Sequence, residues 1–454
     1  MKKIAIVILL LISYKGFGQF HVLEYDFNSY AQSLQFNPGT NYPYEKLFSL
    51  PLLGQTYVFG GNTGFSLADL FSEGGNYNEK LTRVASNLKN TDFVNAHYHQ
   101  EIFTYGWTDD LERFKYFGMY WEFDHFNTIP GSFVRLGLEG NSPHLFDIYD
   151  ARYISTRSEF VQTMYYGMNK QANWQLNVGY RIKLYSGIAN AQSINNQGTF
   201  YTTEGQNNYY EHHLENVNLG FYSSSFDENA EISDIINKFL FSKNFGPGLD
   251  LGLTYKYTDR LQLSAAVLDL GFIYYTSNIR NYTVKGSYVY EGANIQFPEN
   301  SFIDYWKDIK DSFNEQIQVG ENKKNYISWR PTSVYVGLKY GLEDLKHPEC
   351  KDFLNLKDEY TSFLGFTGFY QYRPFKSVYW GTSLYYQKKW SKYFQTKFNL
   401  TADNFGFASV GAAMVLNIKR LQLYLAADNL IGLSDLSASK KQSVSLGLNI
   451  IKFK

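Results

Sequence analysis

From Thr361 to Lys454 apolar and polar side chains alternate along one run after another, and this limits the possible fold more than any other feature of the chain. Phe394, Thr396, Phe398, Leu400 and Ala402 interleave with Gln395, Lys397, Asn399, Thr401 and Asp403. Successive side chains of a β-strand leave on opposite faces, so such a run is apolar on one side and polar on the other. The design recurs in Val410–Ile418, in Leu421–Ala427 against Arg420, Gln422, Tyr424 and Asp428, and in Val378–Tyr386 against Tyr379, Gly381, Ser383 and Gln387. The runs are about 9–12 residues long and joined by short turns such as Asp403-Asn404, the length a tilted strand needs to cross a bilayer. The last run alternates up to Ile450, after which Phe453 falls out of phase, and a bulge near Ile451 is expected to absorb the slip.

Two folds bury one face of every strand: a soluble β-sandwich and a transmembrane barrel. The polar faces here are Ser, Gly, Asn, Gln and Thr, suited to a wet lumen, and lack the dense Lys/Glu of a soluble surface. Aromatic residues make up 19% of the chain, with 40 Tyr and 37 Phe, which suits the aromatic girdles of a barrel. The expectation is an all-β chain forming a single antiparallel transmembrane β-barrel. Counting further runs at Phe117–Asp124, Val134–Glu139, Trp174–Leu184, Leu214–Tyr222, Leu249–Tyr257, Leu261–Leu268, Tyr282–Tyr290, Thr332–Tyr340 and Phe363–Tyr372 gives about 14 strands, an even number as such barrels favour. Tyr379, Tyr385, Gln395, Lys397, Arg420 and Tyr424 are expected to face the lumen.

At the start, Lys2 and Lys3, the apolar Ile4–Ile12 and the small Gly16 and Gly18 spell a signal peptide over residues 1–18, with export to the outer membrane and lipid as the surrounding partner. Its removal takes three of the 42 basic side chains and no acid, leaving 39 against 43 and a net charge near −4. That balance argues against nucleic acid as a partner. Cys350 is the one cysteine, so neither an intramolecular disulfide nor a cysteine-based metal site is available. No cofactor is expected.

Residues 19–81 break the alternation and read as a plug-like segment with the first strand, leaving 82–454 for the barrel. Asn37-Pro38-Gly39 and Gly60-Gly61-Asn62-Thr63-Gly64 punctuate turns, and Ser66 with Asp69 forms a capping box for a short helix. The Asn-Pro-small motif soon after the signal resembles the N-terminal hatch of the long-chain fatty-acid transporter superfamily of outer-membrane barrels. Gly61–Ser66 together with Leu268-Asp269-Leu270-Gly271-Phe272-Ile273 resembles an uncharacterised family of barrels, a domain of unknown function, across the whole mature chain. These resemblances imply a fold and an outer-membrane address and leave activity and ligand open; Asn37, Pro38, Gly39, Asn62, Thr63 and Gly64 are the expected plug or ligand residues. The chain departs from the classical transporters in loop length and further motifs, so fatty-acid transport is not implied.

Three inserts interrupt the barrel. Residues 187–210 are polar and read as a long exposed loop, while 228–241 and 301–318, the latter within an insert at 291–330, carry apolar residues at helical spacing. Ser301 and Asp304 are a capping pair for the second helix. An echo joins Arg260-Leu261-Gln262-Leu263, leading to Asp269, with Arg420-Leu421-Gln422-Leu423, leading to Asp428. Asp269, Gly271 and Asp428 are therefore expected at structural turns, with the acids accepting turn N–H groups.

His97, His99 and Glu101 would share one face of a strand, and His-x-His binds metals, but no third strong ligand is evident and no metal site is assigned. No Gly-x-Ser-x-Gly elbow and no phosphate-binding glycine loop followed by Lys and Ser/Thr occurs, so no catalytic residue is assigned. The expected function is non-enzymatic permeation or uptake of a small amphipathic or hydrophobic ligand through a plugged barrel. The alternative is a scaffold or adaptor barrel with an envelope or secretion-system partner, and a membrane lipid hydrolase is a remote third.

Overall fold

A computed structural model describes residues 22–206, 208–225, 242–292, 305–343, 360–373, 378–391 and 393–454. A strand that shows alternate side chains to lipid also needs hydrogen-bond partners along both backbone edges, because hydrocarbon supplies none. Fourteen antiparallel strands meet that demand by closing on themselves. The wall runs β1 (Tyr44–Ser49 and Thr56–Asn62), β2 (Phe93–Thr108), β3 (Phe114–Thr128), β4 (Thr156–Gln171) and β5 (Leu176–Ser193). It continues through β6 (Phe245–Lys256), β7 (Leu261–Tyr275), β8 (Tyr326–Trp329 and Thr332–Gly341), β9 (Ser362–Tyr372) and β10 (Val378–Lys389). Last come β11 (Phe394–Asp403), β12 (Gly406–Ile418), β13 (Leu421–Asp428) and β14 (Lys441–Phe453), and β14 pairs with both pieces of β1 to close the ring.

The faces follow the alternation. Leu384, Phe398, Leu400, Met414, Leu423 and Leu446 point outward and are exposed, while Lys397, Asn399, Thr401 and Asp403 point inward and are buried. Pro51 interrupts β1, as proline must in a paired strand. The wall stays joined there through Leu50 N–H to the Leu448 carbonyl at 3.3 Å and Leu448 N–H to the Leu53 carbonyl at 2.7 Å.

One end of the barrel has short turns, such as Lys419-Arg420, apart from the connection 342–361, most of which is outside the described residues, and the other has long connections over 63–92, 129–155, 194–244 and 276–325. This asymmetry is the usual one, with short periplasmic turns and longer extracellular loops. The long end carries α1 (Leu67–Phe71), whose Ser66 and Asp69 cap each other's backbone N–H groups, α2 (Tyr77–Asn87) and α3 (Gly131–Glu139). Arg135 of α3 ties to α2 by donating to the Ala85 carbonyl at 3.0 Å.

The sequence reading needs correcting in five places. Val134–Glu139, counted as a strand, is the body of α3, because six residues of apolar–polar alternation following Pro130 fit a short helix as well as a strand. Residues 187–210 are not a loop: β5 extends to Ser193, and Gln197–Glu204 pairs with Tyr210–Ser224 in a sheet that rises above the wall through Ile279–Tyr290 to Ile317–Asn322. The polar composition that reads as a loop belongs to strands with water on both faces. The insert at 291–330 is shorter than expected, because Tyr326–Trp329 pairs with β7 as wall; within it α4 (Tyr305–Gln316) packs Phe313 on Tyr288. The slip in the last strand is taken up on its partner, at Glu45, where the register shifts between Tyr44 and Lys46. Ile451 keeps its phase and is buried, and the Phe453 ring lies 5.0 Å from that of Tyr44. Lastly, the segment inside the barrel is shorter than 19–81: residues 22–43 lie within the lumen and the chain enters β1 at Tyr44. The expected signal peptide, the helix over 228–241, the Ser301/Asp304 cap and Cys350 fall outside the described residues.

Candidate functional site

The lumen is filled from the short-turn end by residues 22–43. Inward-facing side chains of a barrel strand are spaced two residues apart, so small ones leave gaps that a backbone can enter. Gly179 of β5 and Gly252 of β6 are register partners, and together they form such a gap. A Cβ at Gly179 would stand 2.0 Å from the Pro38 carbonyl oxygen, and one at Gly252 would stand 2.2 Å from Asn37 Oδ1. Asn37 Oδ1 accepts the Gly39 N–H at 2.9 Å, which closes the turn, and Asn169 donates to the Pro38 and Thr40 carbonyls at 2.6 and 2.8 Å. Asn37, Pro38 and Gly39 thus sit at the contact between segment and wall. A second gap takes Asp26, whose carboxylate lies over Gly337 and accepts from Ser264 Oγ at 2.8 and 2.9 Å.

The other contacts are side chains reading the segment's backbone. Gln422 of β13 accepts the Ala31 N–H at 2.8 Å and donates to the Ser29 carbonyl at 3.0 Å. Lys397 donates to the Tyr25 carbonyl and Lys339 to the Asp26 carbonyl at 3.1 Å. Gln32 bridges Glu101, Asn449 and the Gly54 carbonyl at 2.7–3.0 Å. Rings complete the fit, Tyr25 on Tyr335 at 4.8 Å and Tyr30 on Tyr424 at 4.5 Å. No residue of 22–43 belongs to the sheet among the described residues.

Gln35 and Phe36 of this segment floor a chamber of about 70 Å³ walled by His97, His99, Glu122, Asp124, Arg181, Lys183 and Asp269. All these charges are paired. Arg181 and Lys183 share Asp250 at 2.5 and 3.0 Å, and Lys183 also reaches Asp269 at 2.6 Å. Two pairs cross the lumen: Arg330, beside β8, meets Glu122 of β3 at 2.6 Å and Glu159 of β4, and Arg373, at the end of β9, holds Asp124 of β3 by two hydrogen bonds of 2.9 and 3.1 Å.

Beyond the Arg373–Asp124 pair lies a layer of rings. Phe93 meets Phe126, Tyr379 and Phe405 at 5.2–5.7 Å between centroids. Phe59 joins at 5.4 Å from Phe405, and the Arg373 guanidinium lies 4.6 Å over Tyr379. Past the rings a cavity of about 600 Å³ opens among the long connections, lined by Thr63, Asn90, Thr128, Ser155, Phe93 and Phe126 among others. From the long-loop end inward the path is therefore mouth, rings, crossing ion pairs, charged chamber and filled lumen.

A model of a family of unknown function, DUF5723, matches residues 38–428. The chain belongs to that family. No curated protein matches it. Among solved structures, this DUF5723 member is similar to a Pseudomonas aeruginosa FadL homologue at 10% identity and a TM-score of 0.45, over 96% of this chain and 99% of the other. It is also similar to the Ralstonia pickettii toluene transporter TbuX at 10% identity and a TM-score of 0.43, over 97% and 99%. A third is the CymD monoaromatic hydrocarbon channel, at 10% identity and a TM-score of 0.40, over 94% of each chain. These likenesses concern the fold alone.

The structure sorts the residues singled out from the sequence of this DUF5723 chain. Tyr379, Tyr385, Gln395, Lys397 and Tyr424 are buried inside the barrel, Tyr379 in the ring layer and the others around residues 22–43. Arg420 is not in the lumen: it is exposed in the turn before β13, where its carbonyl accepts the Ile451 N–H at 2.7 Å. Asn62, Thr63 and Gly64 are apart from Asn37-Pro38-Gly39, at the far end of β1, and Thr63 lines the mouth. Asp269 and Gly271 are not at a turn. They lie inside β7, where Asp269 takes φ +60° at a bulge and binds Lys183 and Tyr185. Asp428 does end its strand, but it accepts from Ser443 Oγ at 2.9 Å across to β14.

His97, His99 and Glu101 share the inner face, yet they do not converge. His97 faces Asp124 at 3.4 Å, His99 packs tilted against Tyr120 with ring centroids 4.6 Å apart, and Glu101 turns to Gln32. Among the described residues no group of three or more His, Cys, Asp or Glu is placed to hold a metal ion. Sequence reasoning missed Arg330 and Arg373, although both precede proline, in Arg330-Pro331 and Arg373-Pro374, and a residue before proline is held extended at a strand end.

Proposed function

We propose that this protein is an outer-membrane channel for uptake of a small amphipathic solute, non-enzymatic, and closed in the described state by its own N-terminal segment. The observation that carries this reading is the way residues 22–43 are held. They fill the lumen by side-chain hydrogen bonds, glycine contacts and ring packing and add no strand to the sheet, and their backbone meets that of the wall at Pro43, whose carbonyl accepts the Lys454 N–H at 3.0 Å, so the segment up to Tyr42 can leave without breaking a rung of the wall. The mouth supports it: rings offer an apolar body a surface, and hydroxyl and amide groups beside them offer polar partners. The test is solute flux into proteoliposomes carrying the whole mature chain or the chain without residues 22–43. Flux that rises on removal is expected, and a barrel sealed in both forms removes the reading.

A second reading, a scaffold for an envelope partner, is favoured by the sheet above the wall, where Tyr209, Val289 and Val319 are exposed. Crosslinking in intact cells tests it, and recovery of the uncrosslinked monomer alone would count against it.

A further inference from the structure

The ion pair between Arg373 and Asp124 joins strands on nearly opposite sides of the ring, β9 and β3, six strands apart one way and eight the other. Both side chains are almost wholly buried. The Arg373 fork is held in place besides, its Nε donating to Gln371 Oε1 at 2.9 Å and its plane lying over Phe126 and Tyr379 at 5.6 and 4.6 Å. Below it Arg330 makes a second crossing to Glu122 and Glu159. A solute entering from the mouth must part these pairs to reach the chamber.

What can part them is a question of charge. A hydrocarbon wedged between Arg373 and Asp124 would take from each its two-bonded opposite charge, leaving Asp124 only the longer His97 contact at 3.4 Å and Arg373 neutral Gln371 among its contacts, which is unfavourable for buried charges. A lone carboxylate replaces the anion at the Arg373 fork but returns no cation to Asp124, and a lone ammonium does the reverse. A solute bearing both groups satisfies both, since its carboxylate takes the two guanidinium N–H donors and its ammonium donates to Asp124. The ring layer of Phe93, Phe126, Tyr379 and Phe405 beside the pair then receives an apolar side chain. The chamber beneath repeats the pattern, with Arg181 and Lys183 on one strand and Glu122 and Asp124 on another. Arg181 is buried there with Nη1 lacking a hydrogen-bond partner.

We propose that the crossing pair Arg373–Asp124 is the specificity-determining element of the channel and that it selects small zwitterions, an α-amino acid or short peptide with an aromatic or apolar side chain. This deepens the uptake reading and rests on it for its biological meaning, though binding is measured separately from flux.

The whole mature protein in lipid nanodiscs is titrated with four probes sharing one ring: phenylalanine, 3-phenylpropanoate, phenethylamine and toluene. Phenylalanine is expected to bind about tenfold or more tighter than any of the other three, one unmatched charge being worth at least that factor. Arg373→Gln is expected to move the preference to phenethylamine and Asp124→Asn to move it to 3-phenylpropanoate. Heat-modified gel migration reports whether each variant is folded, and Arg373→Lys, which keeps the charge, serves if the glutamine variant is not; it should retain the zwitterion preference at reduced affinity. Equal binding of all four probes, tighter toluene binding, or a zwitterion preference that survives both neutral variants overturns the proposal. Zwitterion binding without flux would leave this inference standing and remove the uptake reading. Flux with no preference among the probes would do the opposite.

Discussion

The Pro38 carbonyl rests on Gly179, close enough that a Cβ there would stand 2.0 Å from its oxygen. A methyl group has no room, and neither a carbonyl nor the paired wall backbone yields cheaply. Gly179→Ala is expected to leave the barrel folded and to lift the Asn37-Pro38-Gly39 turn, at a cost of about 1–3 kcal/mol to the closed form. Protease cleavage within residues 22–43 should become faster and solute flux should rise. Unchanged cleavage would show that the contact does not hold the segment.

Gln422 satisfies both an N–H and a carbonyl of the segment, as a neighbouring strand would. Gln422→Leu keeps the volume and strands the buried Ala31 N–H, a loss of about 1–3 kcal/mol, while the Ser29 carbonyl keeps the Tyr44 hydroxyl at 2.6 Å. The midpoint of denaturant unfolding should fall, and amide exchange at Ala31 should accelerate more than exchange in β13.

Leu400 lies on the outer face of β11, half exposed, between the buried Asn399 and Thr401. If lipid covers that face, Leu400→Arg is expected to cost about 2–4 kcal/mol near the bilayer midplane. Folding yield into vesicles measures it. The same substitution at Leu433, exposed among the long connections, should have little effect. A tolerated arginine at Leu400 would argue that water, not lipid, meets this surface.

The Ser66 backbone N–H, and after it the Ser66 hydroxyl, hold the Asp69 carboxyl below its ordinary value of 3.8. A carboxyl whose pKa is lower in the folded form adds stability above its unfolded value, and that stability goes as pH falls through the depressed one. The cap on α1 is therefore expected to persist from neutral pH down to about 4 and to fail only below the ordinary carboxylate range. Site-resolved amide exchange at Ser66 reads this directly, and Asp69→Asn should show the faster exchange, relative to the parent, at neutral pH, with the difference closing as pH falls below the carboxylate range. Because Asp69 is largely exposed, the effect on global stability should be small.

Alternation along β9–β14 was enough to indicate a barrel and which face meets lipid, because a period of two assigns every side chain to a side without knowledge of its neighbours; the total of fourteen agrees, but it counts α3 and two strands of the sheet above the wall in place of β1, β2 and β4. Local chemistry was equally readable: the Ser66–Asp69 box depends on residues three apart. Where composition stood in for periodicity the reading failed. Gln197–Glu204 is polar on both faces because it stands above the membrane, and Asp269 ends an apolar run without ending its strand.

The path through the barrel came only with the tertiary structure. Gly179 meets Gly252, and Arg373 meets Asp124, 249 residues away, because closure of the ring and its register bring them together. Nothing within either residue's own strand encodes its partner. A strand's own residues decide which side chains point inward; which of these face each other across the lumen depends on how all fourteen strands are staggered at once.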